Sequence, residues 1–449
     1  MEKIAVIGAG LVGCLHTIYL AKKGFQVDVF ERRPDLRKAK IIAGRSINLA
    51  LSDRGWKALE GVGITEDVKS VAIPMTGRLM HSVKGELTYQ QYGKEDQAIY
   101  SVPRGGLNKK LLDLADDFTN VNFHFNHTCE DVDLNENEIT FLNTETKASN
   151  KHKFDRIFGT DGAFSAIRSR LQKTDRFNYS QSYLEEGYKE LTIPANADGT
   201  HRIEKNVLHI WPRGKFMMIA LPNQDSSFTC TLFFPLEGEV SFQSLDTKEK
   251  VKDFFETTFP DTIPLIPTLV EDYFRNPTSS LVTIQCSPWN YKDKILLMGD
   301  ASHAIVPFYG QGMNSGFEDC TVLNRMCEEH NFDWSKIFEK FSDLRKPDTD
   351  AIAELAFRNH IEMRDLSGDP KFLLRKKIEA KFTANHPDKW LPLYSQVTFS
   401  HIPYHIANND GLRQDKLMDK IMKIDGIEGK WDSEMVENKI LELLEKVGD

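Results

Sequence analysis

Lys3 to Ile7 is nearly all apolar, and Gly8-Ala9-Gly10-Leu11-Val12-Gly13 follows it with no spacer. An apolar run without alternation predicts a strand buried on both faces, as in a parallel sheet. Cys14 to Lys23 predicts a helix that Gly24 stops, and Gln26 to Phe30 predicts a second strand ending in Glu31. Each glycine has a physical task in that frame. Gly8 permits the tight turn, Gly10 lets the backbone approach a pyrophosphate, and Gly13 lets the helix pack closely on the strand. The helix start offers aligned N–H groups to an anion. Glu31 falls 18 residues after Gly13, where a carboxylate accepts from a ribose 2′-hydroxyl. A 2′-phosphate would be repelled there, so the spacing suits NAD or FAD better than NADP.

Two more apolar strands end in a glycine–aspartate pair. Phe154 to Gly159 leads through Thr160 into Asp161-Gly162, and Ala163 to Leu171 then reads as a helix. Lys294 to Met298 leads into Gly299-Asp300, followed by a loop from Pro307 to Asn314 and a helix from about Ser315 to Cys327. Taken singly, each is compatible with an ordinary strand-to-turn junction, because Asp is a common turn residue.

Composition narrows the classes. The chain has 449 residues and a formal charge of −9, which argues against a nucleic-acid binder, since neutralising phosphates needs a basic surplus. No segment reaches the roughly 18 apolar residues of a membrane span. The N-terminus runs straight into a strand, so a cytoplasmic, soluble, unanchored protein is expected. Six cysteines lie scattered without a CxxC pair, which suggests neither a disulfide framework nor a metal site.

The three motifs, in this order and spacing, resemble the single-component FAD aromatic hydroxylases, whose pattern is GxGxxG, then DG, then GD. Further stretches narrow the resemblance to the kynurenine-hydroxylating branch of that family. They are GRSINLALSDRG (44–55), PMTGRLMHS (74–82), VPFYGQGMNSGFEDC (306–320), RNHIEMRD (358–365) and PLYSQVTFSHIPYH (392–405). The resemblance covers nearly the whole chain, to His405.

It implies an α/β fold: a doubly wound, Rossmann-like FAD-binding domain with an inserted β-sheet substrate domain and a helical C-terminal region. We assign residues 1–71, 101–180 and 281–330 to the first, 72–100 and 181–280 to the second, and 331–449 to the third. In the last, apolar residues recur at helical spacing from Trp334, interrupted by Pro347. The segments Gln414 to Lys423 and Ser433 to Lys446 read as amphipathic.

The cofactor residues implied are Gly8, Gly10, Gly13 and Glu31, then Arg45, Arg104, Asp161, Gly162 and Asp300. The loop residues Gly312, Met313 and Asn314 would bring backbone N–H groups near the flavin pyrimidine. Pro307, Phe308 and Gln311 would flank flavin and substrate, Gln311 at the aniline end, with Leu221 and Phe234 as further wall residues. Arg78, Tyr92, Asn359 and Tyr394 would hold the carboxylate of L-kynurenine, because an arginine fork with neutral donors makes a directed clamp. Read alone, Arg78 is equally a surface charge on a strand, and Tyr92 and Tyr394 are ordinary half-buried tyrosines. Asn359, in a helix-like run from Asp350 to Arg364, is a poor helix former unless its amide is used. His303 and His81 read as packing or positioning residues, and Glu362 as a helix-surface or ion-pair residue.

The reaction implied is FAD- and NADPH-dependent hydroxylation of L-kynurenine by molecular oxygen, through a flavin hydroperoxide, with no acid–base pair and no metal required. The rivals are a hydroxylase of the same fold for another aromatic acid, an FAD-dependent reductase that inserts no oxygen, and a non-catalytic flavin module. With no second GxGxxG, the nicotinamide donor is expected to bind transiently against the FAD domain. A homodimer is a possible assembly. Because FAD, NADPH and a carboxylate are all anionic, positive potential must be local, and Arg45, Arg78 and Arg104 are the places expected to supply it.

Overall fold

The computed structural model describes residues 2–38, 48–366 and 369–446. Arg45 lies outside the described residues. The strands Lys3–Ile7 and Gln26–Glu31 pair in parallel, and Lys3–Ile7 also pairs in parallel with Arg156–Gly159. They form the centre of a six-stranded sheet that Val121–Phe125 and Ile295–Leu297 extend in parallel and Asn290–Tyr291 closes as an antiparallel edge. The helix after the glycines runs from Leu11 to Lys22, so it begins immediately beyond Gly10. It packs against the helices Arg104–Asp116 and Gly312–Glu329. A three-stranded antiparallel sheet, built from His127–Asp133, Glu138–Asn143 and Ser149–Lys153, is appended to it, and a small sheet joins Asn48–Leu51, Ile99–Pro103 and Ile73–Met75.

A second large sheet has seven strands in the order Ser279–Ser287, Asn178–Ile193, Phe228–Pro235, Met217–Pro222, Leu208–Pro212, Gly77–His81 and Leu87–Gln91. Both of its faces are covered in the middle. Met217, Leu221 and Phe233 belong to one core, while Met218, Ala220, Leu232 and Phe234 belong to another. Successive side chains on a strand point to opposite faces, so a strand buried on both sides is apolar throughout.

The C-terminal region is helical: Trp334–Ile361, Pro370–Asn385, Leu393–Thr398, Tyr404–Ile421, Ile427–Lys430 and Glu434–Glu445. Pro347 does not interrupt the first of these; the helix runs through it for 28 residues. Proline removes one i→i−4 bond and usually breaks a helix. Here both sides of it are tied down. Arg345 bonds Asp319, Glu318 and the Ser315 carbonyl, and the Asp348 carboxylate accepts from the backbone N–H of His405. The helix also joins the two large units. Trp334, Ile337, Phe338 and Phe341 share the core of the parallel sheet, and Ile352, Leu355 and Ala356 share the core of the seven-stranded one.

Two buried histidines make the fold acid-sensitive. His16, on the first helix, is 3 % exposed and meets Phe158 edge-on at 4.4 Å; burial pushes it down to about 3. Burial likewise pushes His209 down to about 4. An unfolded chain binds both protons near the ordinary histidine value, and the native chain refuses them. Stability therefore falls as the pH drops from about 6.5 toward 4, by up to about 1.4 kcal/mol per pH unit for each histidine. Melting temperatures between pH 7 and 5 check this. His16→Leu should flatten the decline, and an unchanged slope would remove His16 from the account.

Candidate functional site

One cavity of about 590 Å³ runs from the first glycine turn to the middle of the seven-stranded sheet. Its nucleotide end is built by backbone. Gly8 has φ +105°, and its N–H donates to the Phe30 carbonyl at 2.7 Å. A Cβ on Gly8 would stand 2.6 Å from the Thr160 carbonyl oxygen, and one on Gly13 would stand 1.9 Å from the Gly8 carbonyl oxygen. Gly10, by contrast, has nothing within 4 Å of its absent Cβ and lines the cavity. The backbone is thus crowded on the protein side and open on the cavity side, the arrangement a phosphate needs.

Glu31 lines the cavity. One carboxylate oxygen accepts from the Ala9 N–H at 3.0 Å and the other from Arg33 Nε at 2.8 Å. Arg104 opens its helix and lines the same wall, as do Arg32 and Arg33, which sequence reasoning did not single out.

The two glycine–aspartate turns follow neighbouring strands of the parallel sheet, and both line the cavity. Asp161 accepts from the Ala166 and Ile167 N–H groups at 2.7 and 3.3 Å, capping the helix Ala166–Leu171. Its other oxygen, Oδ1, is buried without a hydrogen-bond partner among the described residues, and burial raises the carboxyl above its usual range. Gly299 (φ +59°, ψ −143°) lets the chain turn so that Asp300, first residue of the helix Asp300–His303, stands exposed in the cavity wall. Asp319 holds that turn from behind. Its Oδ2 accepts from the Gly299 N–H at 2.9 Å and from His303 Nε2 at 2.6 Å, and its Oδ1 accepts from Arg345. His303 is therefore a positioning residue. His81 is likewise buried, bonded to Asp261 and His209.

Pro307–Tyr309 forms a short 3₁₀ turn, Gly310 takes a left-handed φ of +68°, and the next helix begins at Gly312 rather than Ser315. Gly312 and Met313 thus bring first-turn N–H groups, which have no intrahelical acceptor, to the cavity. Gln311 and Asn314 do not line it. Gln311 Nε2 donates to Ser52 Oγ and its Oε1 accepts from the Tyr404 hydroxyl, so the expected contact with an aniline group is corrected. The Asn314 side chain ties Ser52, Ala50 and Gly310 together.

The far end of the cavity is a box with one charged corner. Met217, Ile219, Leu221 and Phe233 face it from the sheet, Phe308 and Pro307 from the turn, and Met363 from the π-turn Glu362–Leu366. Phe234 does not; it is one residue out of phase and lies in the core behind the sheet. Arg78 sits on the strand Gly77–His81, paired with Leu208. Its guanidinium carbon lies 4.8 Å from the Tyr394 ring centroid and 5.3 Å from that of Tyr92. Tyr92, Tyr394 and Tyr309 form a stacked series, with centroids 5.1 and 5.6 Å apart. Arg78 Nε and the Tyr92 hydroxyl are both buried without hydrogen-bond partners among the described residues. Burial also pushes the Tyr92 hydroxyl well above its usual pKa, so it is a donor at neutral pH.

Asn359 is not part of this corner. Its amide donates to the Phe308 carbonyl at 2.6 Å, so it holds the turn instead of a ligand. Tyr309, Phe233 and Met363 are among the cavity residues that sequence reasoning missed, with Met217, Ile219, Arg32 and Arg33. The signal for Tyr309 was its place in the loop after Pro307; nothing local marked Phe233 or Met363.

A buried guanidinium Nε and a buried hydroxyl without hydrogen-bond partners are costly unless something fills the gap. An anion with an aromatic or apolar body fits: the charge goes to Arg78 and Tyr92, and the body goes into the box. The glycine cradle, the unpartnered Asp161 oxygen and Asp300 fit a dinucleotide of the FAD type at the other end.

The sequence model of the family described as "FAD binding domain" matches residues 1–329. A kynurenine 3-monooxygenase from Flavobacterium johnsoniae is 56 % identical over 444 residues, covering 99 % of this chain and 99 % of its own. The protein of that name from Sus scrofa is 46 % identical over 406 residues, covering 90 % and 85 %. Among solved structures, tetrameric 2-methyl-3-hydroxypyridine-5-carboxylic acid oxygenase superposes with a TM-score of 0.67 at 17 % identity, covering 84 % of this chain and 95 % of its own. Pseudomonas aeruginosa PqsL, in complex with 2-aminobenzoylacetate, gives 0.66 at 18 % identity, covering 81 % and 97 %. At such identities the likeness shows the fold.

Proposed function

The chain belongs to the kynurenine 3-monooxygenases, a group of FAD-binding monooxygenases, and on that premise we propose that it hydroxylates the ring of L-kynurenine beside the amino group, using NADPH and molecular oxygen. The observation that carries this reading is the continuity of one cavity from the glycine cradle to Arg78 and Tyr92, whose Nε and hydroxyl are buried there. Kynurenine has an aniline ring, a ketone arm and a carboxylate-bearing head, which match the box and its charged corner.

Gly8, Gly10, Glu31, Arg104, Asp161, Asp300, Gly312 and Met313 would hold FAD. When bound, it supplies the electrons of NADPH to oxygen and delivers one oxygen atom to the ring. The chain's own tasks are then physical. Arg78 and Tyr92 anchor the carboxylate, so the substrate enters in one direction and the ring lies at the flavin end. Phe308, Phe233 and Met363 exclude water from the reacting region, which suppresses loss of reduced oxygen as hydrogen peroxide. The aniline nitrogen makes the ring electron-rich, so no side chain has to act as nucleophile or base.

The test is to combine purified holoprotein, NADPH, oxygen and L-kynurenine, and to compare a panel of other aromatic acids. The expected result is faster NADPH oxidation with kynurenine and a product heavier by one oxygen atom. Product formed without oxygen would favour a reductase, and acceleration by another acid alone would overturn the substrate.

Among the described residues no helix is long and apolar enough to cross a membrane. A cytoplasmic, unanchored enzyme is part of the proposal, tested by recovery of the native protein without detergent. A homodimer belongs to it too, and sedimentation of the holoprotein tests that.

A further inference from the structure

Phe308 is the aromatic wall nearest the turn that would flank the flavin, and its own surroundings are unusually specific. On one side stands Phe233, with centroids 4.8 Å apart. On the other side the His360 ring lies against it at 4.0 Å and 26°, close to a parallel stack. The Phe308 carbonyl is held by Asn359, the residue before His360. Ring and backbone are therefore fixed by two consecutive residues at the end of the long helix, just before the π-turn that contributes Met363.

His360 is itself held from the sheet. It is 3 % exposed, and its Nε2 lies 3.2 Å from Glu186 Oε1. A carboxylate only accepts, so Nε2 carries the hydrogen. The same oxygen accepts from Arg364 at 2.7 Å, so Glu186 holds one residue before the π-turn and one within it. Glu186 lies where the strand Asn178–Ile193 shifts register between Tyr183 and Gly187. Such irregularities in strands and π-turns in helices are used to re-aim side chains. Here both occur at one contact.

We propose that His360 is a positioning residue for the hydroxylation. Its ring face, anchored through Glu186, sets the plane of Phe308, and that plane sets how an aromatic substrate rests and how well water is kept out. This rests on the monooxygenase reading above. His360 touches neither the cavity nor a ligand; it acts through Phe308.

Three variants separate the ring face from the hydrogen bond. His360→Phe keeps an aromatic face and gives up the bond to Glu186, which still has Arg364. His360→Gln keeps a donor for Glu186 and has no ring. His360→Leu has neither. The measurements are FAD content, the kynurenine Kd of the oxidised holoprotein, and the ratio of hydroxylated product to hydrogen peroxide per NADPH. The expected result is full FAD content and a Kd within about twofold for all three, with the ratio lowered about threefold to tenfold in His360→Gln and His360→Leu, the range that loss of one aromatic stack spans. His360→Phe should return the ratio close to the parent value.

An unchanged ratio in His360→Leu, or a parent-like ratio in His360→Gln, overturns the proposal. So does a His360→Phe ratio as low as that of His360→Leu. Failure of the functional reading would look different, because the parent protein itself would then show no kynurenine-stimulated NADPH oxidation.

Discussion

Arg78→Met lowers kcat/KM for kynurenine by about two to three orders of magnitude, the range expected for removing one partner of a buried charged contact, while the protein stays yellow with bound FAD. Methionine retains much of the apolar stem of arginine and removes only the guanidinium. The glycine cradle lies at the other end of the cavity and does not touch Arg78. Most of the loss should appear in KM, because the carboxylate contact is made equally in the bound substrate and in the transition state. The variant without substrate should melt no lower than the parent, since a buried cation that lacks a hydrogen-bond partner at Nε is a burden to the fold. Steady-state kinetics, the flavin absorbance and a melting curve read these outcomes together. Unchanged kynurenine affinity would remove the clamp.

The second large effect concerns the first turn. Gly13→Ala would put a methyl group 1.9 Å from the Gly8 carbonyl oxygen and 2.7 Å from Thr160 Oγ1. Neither neighbour can yield cheaply. The Gly8 N–H is bonded to Phe30, and Thr160 Oγ1 donates to the Ile7 and Gly8 carbonyls. The helix Leu11–Lys22 must therefore move off the sheet, at a cost of at least about 1–3 kcal/mol, and its N–H groups move away from the phosphate position with it. The expected product melts lower and purifies without flavin. Gly10→Ala is the control, because nothing lies within 4 Å of its Cβ. There the fold should stand with a parent-like melting curve, while FAD affinity falls by about tenfold or more as the methyl meets the pyrophosphate. The ratio of flavin to protein absorbance, with the melting temperature, separates the two. A yellow Gly13→Ala protein with parent stability would defeat the close-packing argument.

The nucleotide end was legible because its geometry is local. Three residues, Gly8 to Gly10, between an apolar strand and a helix prescribe a turn, and Glu31 and the two glycine–aspartate pairs fall at strand ends where parallel sheets present ligands. The far end was legible only through its likeness to a family, and there the details shifted. Phe234 was expected in the wall and Phe233 stands there. The strand Phe228–Pro235 is buried on both faces, so its apolar pattern carries no phase. Asn359 and Gln311 were expected to face ligand, and both bond protein instead. A polar residue near a site can satisfy the backbone or the substrate, and the sequence does not distinguish these. Pro347 was read as a break because local rules make it one; the buried bonds on either side of it keep the helix continuous.

By itself the sequence determined the first glycine turn and the strands that end in the two glycine–aspartate pairs, all set by propensities and spacings that act over a few residues. Only the tertiary structure decided that Arg78 and Tyr92, from one hairpin, meet Tyr309 and Tyr394 from two distant segments at one corner, with Arg78 Nε and the Tyr92 hydroxyl left unpaired. It also decided that Asn359 and His360 hold Phe308. The reason is physical. Which face of a doubly buried strand looks into a cavity, and which partner a buried amide takes, depend on what packs against them from elsewhere in the chain.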